Sequence, residues 1–334
     1  MSKPKIGLSL GSGAARGWSH IGVINALEEI GITPDIVTGS SVGAVVGAAY
    51  AAGRLDAFTD WVRKLDRIGV IRLLDAKLSG GGFVQGKALL AAFEKQIGNP
   101  LIEDLAIPFG CVATELGTGR EVWLREGRVL DAVRASMAMP GVFSPVKQNG
   151  QYLLDGGLVN PVPVSLTRAM GADVVIAVNL NGDLVGYDFF LHETNLPGKA
   201  GATTGKALST TNGAPDRETG GENSSKLSQW AGDLKHRVGD RLDKYASSLR
   251  KEKSPEPGLF DVVIGAIDIM QDRITRARMA GEPPDVHITP RMREVGVMDF
   301  DRAADAIREG AAATQRERPD LDALKRALDR MPGS

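Results

Sequence analysis

The stretch Asp35-Ile36-Val37-Thr38-Gly39-Ser40-Ser41-Val42-Gly43-Ala44-Val45-Val46-Gly47-Ala48-Ala49 decides the fold. Its first part is a short β-rich run that follows the turn residues Thr33-Pro34. Its last part, from Ala44 to Ala52, reads as a helix of small residues packed tightly against a sheet. Between them Gly39-Ser40-Ser41-Val42-Gly43 spells G-x-S-x-G, the pattern of a nucleophile elbow, in which a serine stands on a sharp strand-to-helix turn. Gly39 and Gly43 supply the small neighbours that such a turn needs. The competing reading, a tight turn with no chemistry, is favoured by the bare motif and disfavoured by the strand and helix on either side.

Outward from this stretch, strand and helix signals alternate. Ile6 to Leu10 reads as a strand. Gly17 to Ile30 reads as a helix with apolar positions at Trp18, Ile21, Ile24, Leu27 and Ile30, so that with Ile36 to Gly39 it completes a β-α-β unit. Helices are expected at about 41–53, 55–65 and 86–97, strands around 108–114 and 120–124, and a helix from about 128 to 138, closed by Pro140-Gly141. Phe143 to Asp155 reads as a hairpin turned by Asn149-Gly150. A helix near 163–170 leads into Asp173 to Val178, an apolar run of the kind found in a strand covered on both faces. From about 195 to 257 the chain is rich in Gly, Ser, Thr, Asn, Lys and Glu and carries little apolar periodicity, which predicts a mobile surface insertion. Regular structure resumes with a helix at 259–280, a strand at 285–289, and helices near 300–316 and 320–330. The helix from Leu259 is apolar nearly all round at its start, which fits buried packing and, less commonly, a surface that meets a partner or lipid.

Composition sets outer bounds. The 334 residues are 43% hydrophobic and 24% charged, as in an ordinary soluble globular protein. With 40 basic and 41 acidic residues the net charge is -1, so no general pull toward nucleic acid is encoded. The one cysteine, Cys111, permits no disulfide within the chain and reads as a small buried hydrophobe. No segment has the length of apolar sequence needed to span a membrane, and the start of the chain shows no leader pattern. These features together predict a cytoplasmic protein.

Two constellations could accompany Ser41. The loop Gly11-Ser12-Gly13-Ala14-Ala15-Arg16-Gly17 exposes backbone N–H groups at the start of a helix, which suits either nucleotide phosphates or the oxyanion of a tetrahedral intermediate. A dinucleotide fingerprint would place glycine where Arg16 stands, and a phosphate loop would end in Gly-Lys-Ser/Thr, so the oxyanion reading fits better. Two adjacent βα turns would also lie at one carboxyl edge of a parallel sheet. Ser41 then needs a base. His192 and His236 fall in or beside the low-order segment, His20 reads as a packing residue of the first helix, and His287 alternates with Val286 and Ile288 in a strand. Asp155, after the hairpin and before Gly156-Gly157, is the better partner, because a carboxylate next to a serine hydroxyl can accept its proton.

Taken together, Leu8 to Gly17, Gly39 to Gly43 and Asp155-Gly156-Gly157 resemble the bacterial patatin-like phospholipases, in the branch of RssA-type and neuropathy-target-esterase-like proteins. Trp18 to Val23, Arg134 to Gly141 and Arg276 to Gly281 resemble them as well, and the likeness runs over about residues 4–180 and 258–316. It implies a three-layer α/β/α fold with a mostly parallel sheet, formed by one hydrolase domain over 1–316 with a helical tail at 317–334. It also implies hydrolysis of lipid acyl esters by a Ser–Asp dyad without histidine, metal or cofactor. Ser41 would be the nucleophile and Asp155 the general base. The loop Gly11, Ser12, Gly13, Ala14, Ala15 and Arg16 would form the oxyanion hole through backbone N–H groups, with Arg16 closing it. Ser12 and Ala14 depart from the fullest glycine-rich pattern of the family. The implied partner is a lipid ester, met through weak peripheral contact with a membrane. The alternative is a catalytically idle binding or regulatory module that keeps the fold.

Overall fold

The structure, a computed structural model, describes residues 3–73, 86–183 and 259–330. The unit built from residues 1–186 and 260–334 is the one described below. The expected insertion at 195–257 lies outside the described residues.

Eight strands form one mixed sheet: β1 (Ile6–Leu10), β2 (Ile36–Ser40), β3 (Phe109–Glu115), β4 (Glu121–Leu124), β5 (Val146–Gln148), β6 (Gln151–Asp155), β7 (Val174–Val178) and β8 (Val286–Ile288). Strands β3, β2, β1, β7 and β8 run parallel in that order, while β4, β5 and β6 are antiparallel additions. The helices are α1 (Ser19–Glu29), α2 (Val42–Ala51), α3 (Leu55–Val62), α4 (Arg67–Leu73), α5 (Lys87–Ile97), α6 (Val129–Ser136), α7 (Val164–Ala169), α8 (Leu259–Gly281), α9 (Ala303–Arg316) and α10 (Arg318–Asp329).

The three layers can be read from side-chain parity along the parallel strands. Leu8, Leu10, Val37, Ile176 and Val178 point into the larger core with α2 and α6, whereas Ile36, Val175 and Ala177 point into a smaller core with Val162 and Val164. Successive residues of a strand face opposite sides. A strand with helices over both faces is therefore apolar throughout, which accounts for the unbroken run that marked β7. In the hairpin, Asn149 and Gly150 both have positive φ, 50° and 81°, the geometry of a two-residue turn matched to strand twist.

Three elements differ from the sequence reading. The first helix is preceded by a 3₁₀ turn, Ala14–Trp18, so the loop tightens before α1 begins at Ser19. Helix α4 is present where no helix was expected. Helix α10, read as a separate tail, sends Leu321 and Leu328 into the same core as the sheet.

Candidate active site

Strand register brings the site residues together. Along β3, β4 pairs with residues Cys111 to Thr114 and so occupies one edge. Strands β2 and β6 must share the other edge end to end, with Ser40 opposite Val112 and Asp155 opposite Ala113. The residue that follows β2 and the residue that ends β6 therefore meet, although they lie 114 positions apart. Ser41 Oγ donates to Asp155 Oδ2 at 2.6 Å, the length of a charge-assisted O–H···O bond.

Both residues are tethered through main chain as well as side chain. Asp155 Oδ1 accepts from the Gly157 N–H at 2.7 Å, its own N–H donates to the Ala138 carbonyl at 3.0 Å, and its carbonyl accepts from Thr114 Oγ1. Burial pushes the Asp155 carboxyl up to about 6, against the hydrogen bonds from Ser41 and Gly157 that pull it down. Ser41 sits at φ 55°, ψ -121°, ahead of α2, and its N–H donates to Ser136 Oγ at 2.9 Å. The elbow glycines are required by contact: a Cβ on Gly39 would fall 2.4 Å from Ala44 N, and one on Gly43 2.1 Å from Leu10 O. The second of these distances also shows how closely the elbow approaches the glycine loop after β1.

That loop is narrower as a donor set than the sequence suggests. The N–H groups of Gly11, Ser12, Ala15 and Arg16 already donate to Val178, Pro161, Val297 and Gly13 carbonyls. Gly13 and Ala14 are left with N–H groups that meet no acceptor within the described residues. The side chains of Ser12 and Arg16 bond residues other than Ser41 and Asp155. Ser12 Oγ donates to Gln271 Oε1, and the Arg16 guanidinium pairs with Asp268 at 2.8 Å and with Asn181 Oδ1 at 3.2 Å. Arg16, expected to close the loop, ties it to α8 by a buried side chain.

Ser41 keeps 6% of its surface accessible, and that surface opens on a cleft. Among the described residues every other side chain along this cleft is apolar or aromatic, including Val42, Val45, Met137, Met139 and Val142 together with Trp61, Phe93, Phe143, Ile264 and Phe300.

No histidine bonds Ser41 or Asp155 among the described residues. His20 Nε2 lies 2.8 Å from the Gly11 carbonyl, and burial lowers its pKa to about 4, so it is a neutral packing residue. His287 is exposed on β8, three strands from β2. His192 and His236 lie outside the described residues. Cys111 is buried with its thiol pushed up to about 12. Among the described residues no cluster of His, Cys, Asp and Glu is arranged to hold a metal ion, and no helix is long and apolar enough to cross a membrane. Sequence reasoning missed Ser136, Ala138, Asp268 and Gln271, although Ser136 and Ala138 fall in a stretch noted for its resemblance and Asp268 and Gln271 in the helix noted for its apolar start.

The chain belongs to the patatin-like phospholipase family, in its NTE group. The model of that family, described as Patatin-like phospholipase, matches residues 8–168. An uncharacterized NTE family protein of Mycobacterium tuberculosis is 37% identical, covering 94% of this chain and 91% of its own length. The lysophospholipase NTE1 of Phaeosphaeria nodorum is 37% identical over 52% of this chain and 12% of its own. The solved structure of VipD from Legionella pneumophila aligns over 97% of this chain and 67% of its own, with a TM-score of 0.40 and 14% identity.

Proposed function

We propose that the protein is a serine hydrolase of lipid carboxylic esters, with phospholipids and lysophospholipids as the substrate class. One observation carries this reading: among the described residues, the single hydroxyl on the side chains of an apolar cleft is the one hydrogen-bonded to a buried carboxylate. The family description and the name of the fungal lysophospholipase support the choice of lipid.

In this reading the Ser41 hydroxyl attacks the ester carbonyl while Asp155 takes its proton. The negative oxygen that forms is met by the free Gly13 and Ala14 N–H groups and by the positive end of α2. Collapse breaks the ester bond, Asp155 returns the proton to the leaving alcohol, and the acyl group remains on Ser41. Water, activated by the same carboxylate, then releases the acid. Because the base must be ionised and burial holds Asp155 near 6, hydrolysis should rise with pH through that value.

The test is reaction with a fluorophosphonate followed by mass spectrometry of the modified peptide, beside turnover of a lysophospholipid. The label is expected on Ser41, and Ser41→Ala should neither take it nor hydrolyse the lipid. Undiminished turnover by Ser41→Ala would defeat the assignment, and a wild-type chain that takes no label would leave an idle binding module as the better description.

A lipid substrate brings the enzyme to a membrane surface. Val262, Val263, Ile269 and Met270 are exposed along the outward side of α8, whose inward Ile264 lines the cleft. Such a stripe suits weak peripheral contact. Flotation with anionic vesicles at low salt should carry part of the protein upward, and a chain that stays wholly at the bottom would remove this element.

A further inference from the structure

Ser41 occupies a backbone region that side chains rarely adopt, and such strain persists only where the surroundings enforce it. The enforcement comes from the end of α6. Ser136 is wholly buried there, and its Oγ accepts the Ser41 N–H at 2.9 Å; the buried Cys111 thiol lies beside the same hydroxyl. Cys111 lies on β3 directly opposite Gly39 of the elbow. Two residues beyond Ser136, the Ala138 carbonyl accepts the Asp155 N–H. The segment Ser136-Met137-Ala138 therefore grips both members of the Ser41–Asp155 pair by their main-chain amides. The 2.6 Å bond between their side chains depends on where this segment lies.

We infer that Ser136 is a positioning residue: its hydroxyl oxygen fixes the Ser41 amide and so aims Ser41 Oγ between Asp155 and the Gly13–Ala14 amides. The inference rests on Ser41 being the nucleophile. Ser136 itself does not line the cleft, whereas its neighbour Met137 does, so losing the hydroxyl alters aim without altering the wall that holds a substrate. Ser136→Ala would leave a buried N–H with no acceptor and a strained φ with no tether.

The full chain carrying Ser136→Ala is compared with wild type, with Ser136→Thr, and with Leu321→Ala, which opens a cavity in α10 on another part of the core. Fluorophosphonate labelling rate, kcat and KM on a lysophospholipid, melting temperature and hydrogen exchange at the Ser41 amide are measured for each. Ser136→Ala is expected to lose about 10–100-fold in labelling rate and in kcat with KM unchanged, as a misaimed nucleophile should. Ser136→Thr should recover most of the loss. Leu321→Ala, at a comparable fall in melting temperature, should keep its kcat. Labelling of Ser136→Ala at the wild-type rate overturns the inference, and so does an equal loss of kcat in Leu321→Ala. Should Ser136→Ala fail to fold, fast exchange of the Ser41 amide in wild type overturns it and slow exchange upholds it. A wild-type chain that takes no label overturns the nucleophile assignment as well, whereas a labelled wild type beside an unaffected Ser136→Ala overturns this inference alone.

Discussion

The turns after β1 and β2 are built alike and used in opposite ways. Each leaves the carboxyl end of a parallel strand, each enters a helical turn, and the two strands are neighbours in register, with Leu10 opposite Gly39. After β2 the chain projects a side chain: Ser41 stands out on strained backbone while its N–H is tied down to Ser136. After β1 the chain does the reverse, tying down the side chains of Ser12 and Arg16 and leaving the N–H groups of Gly13 and Ala14 without an acceptor among the described residues. In the proposed reaction one turn would carry its chemistry in a residue's identity, the other in the direction of its peptide planes.

This contrast predicts a graded response to substitution. The largest effect belongs to the partner of the projected side chain: Asp155→Asn should cost about 10²–10⁴-fold in kcat, the usual contribution of a general base. The same change should help the fold. The Asp155 pKa is raised from 3.8 to about 6, so the folded state holds its proton more tightly than the unfolded chain does. Wild type must then lose stability as pH rises from about 4 through 6, and Asp155→Asn should be spared that loss. Melting curves at pH 4 and pH 7.5 for the two proteins check it, and a parallel fall in both would refute the sign.

Next comes the backbone of the other turn. A Cβ on Gly13 would lie 2.8 Å from the Leu180 side chain, so Gly13→Ala should shift the free N–H groups and lower kcat by about 10²-fold, near the cost of one oxyanion donor. Smallest is the effect of Ser12→Ala, which removes only a hydrogen bond to Gln271 and should cost about 1 kcal/mol of stability with turnover nearly kept. If Ser12→Ala proved as damaging to kcat as Gly13→Ala, the distinction between the two turns would fail.

Much of this was legible in advance. Ser41 stands out because glycines flank it after a strand signal and Asp155 because two glycines follow it at the end of a hairpin, and strands β1, β2, β3 and β7 announce themselves by β-rich or apolar runs. The helix from Leu259 was only half legible. Its apolar positions go all round, but Ile264 and Ile267 face inward while Val262, Val263, Ile269 and Met270 face out, a division that periodicity cannot give when both sides are apolar. The donor set of the glycine loop was overestimated because hydrogen bonds to Val178, Pro161 and Val297 join residues remote in sequence.

What the sequence by itself determined is local: which segments are strands and helices, and where small residues let the chain turn sharply beside a serine and an aspartate. That follows from side-chain periodicity and from the conformational freedom of glycine, both properties of neighbouring residues. What only the tertiary structure decided is convergence. The end-to-end stacking of β2 and β6 on one edge of β3 set the distance from Ser41 to Asp155, and the turn after α6 clamped both amides. Hydrogen-bond direction and strand register are fixed by long-range packing, and no pattern of adjacent residues encodes them.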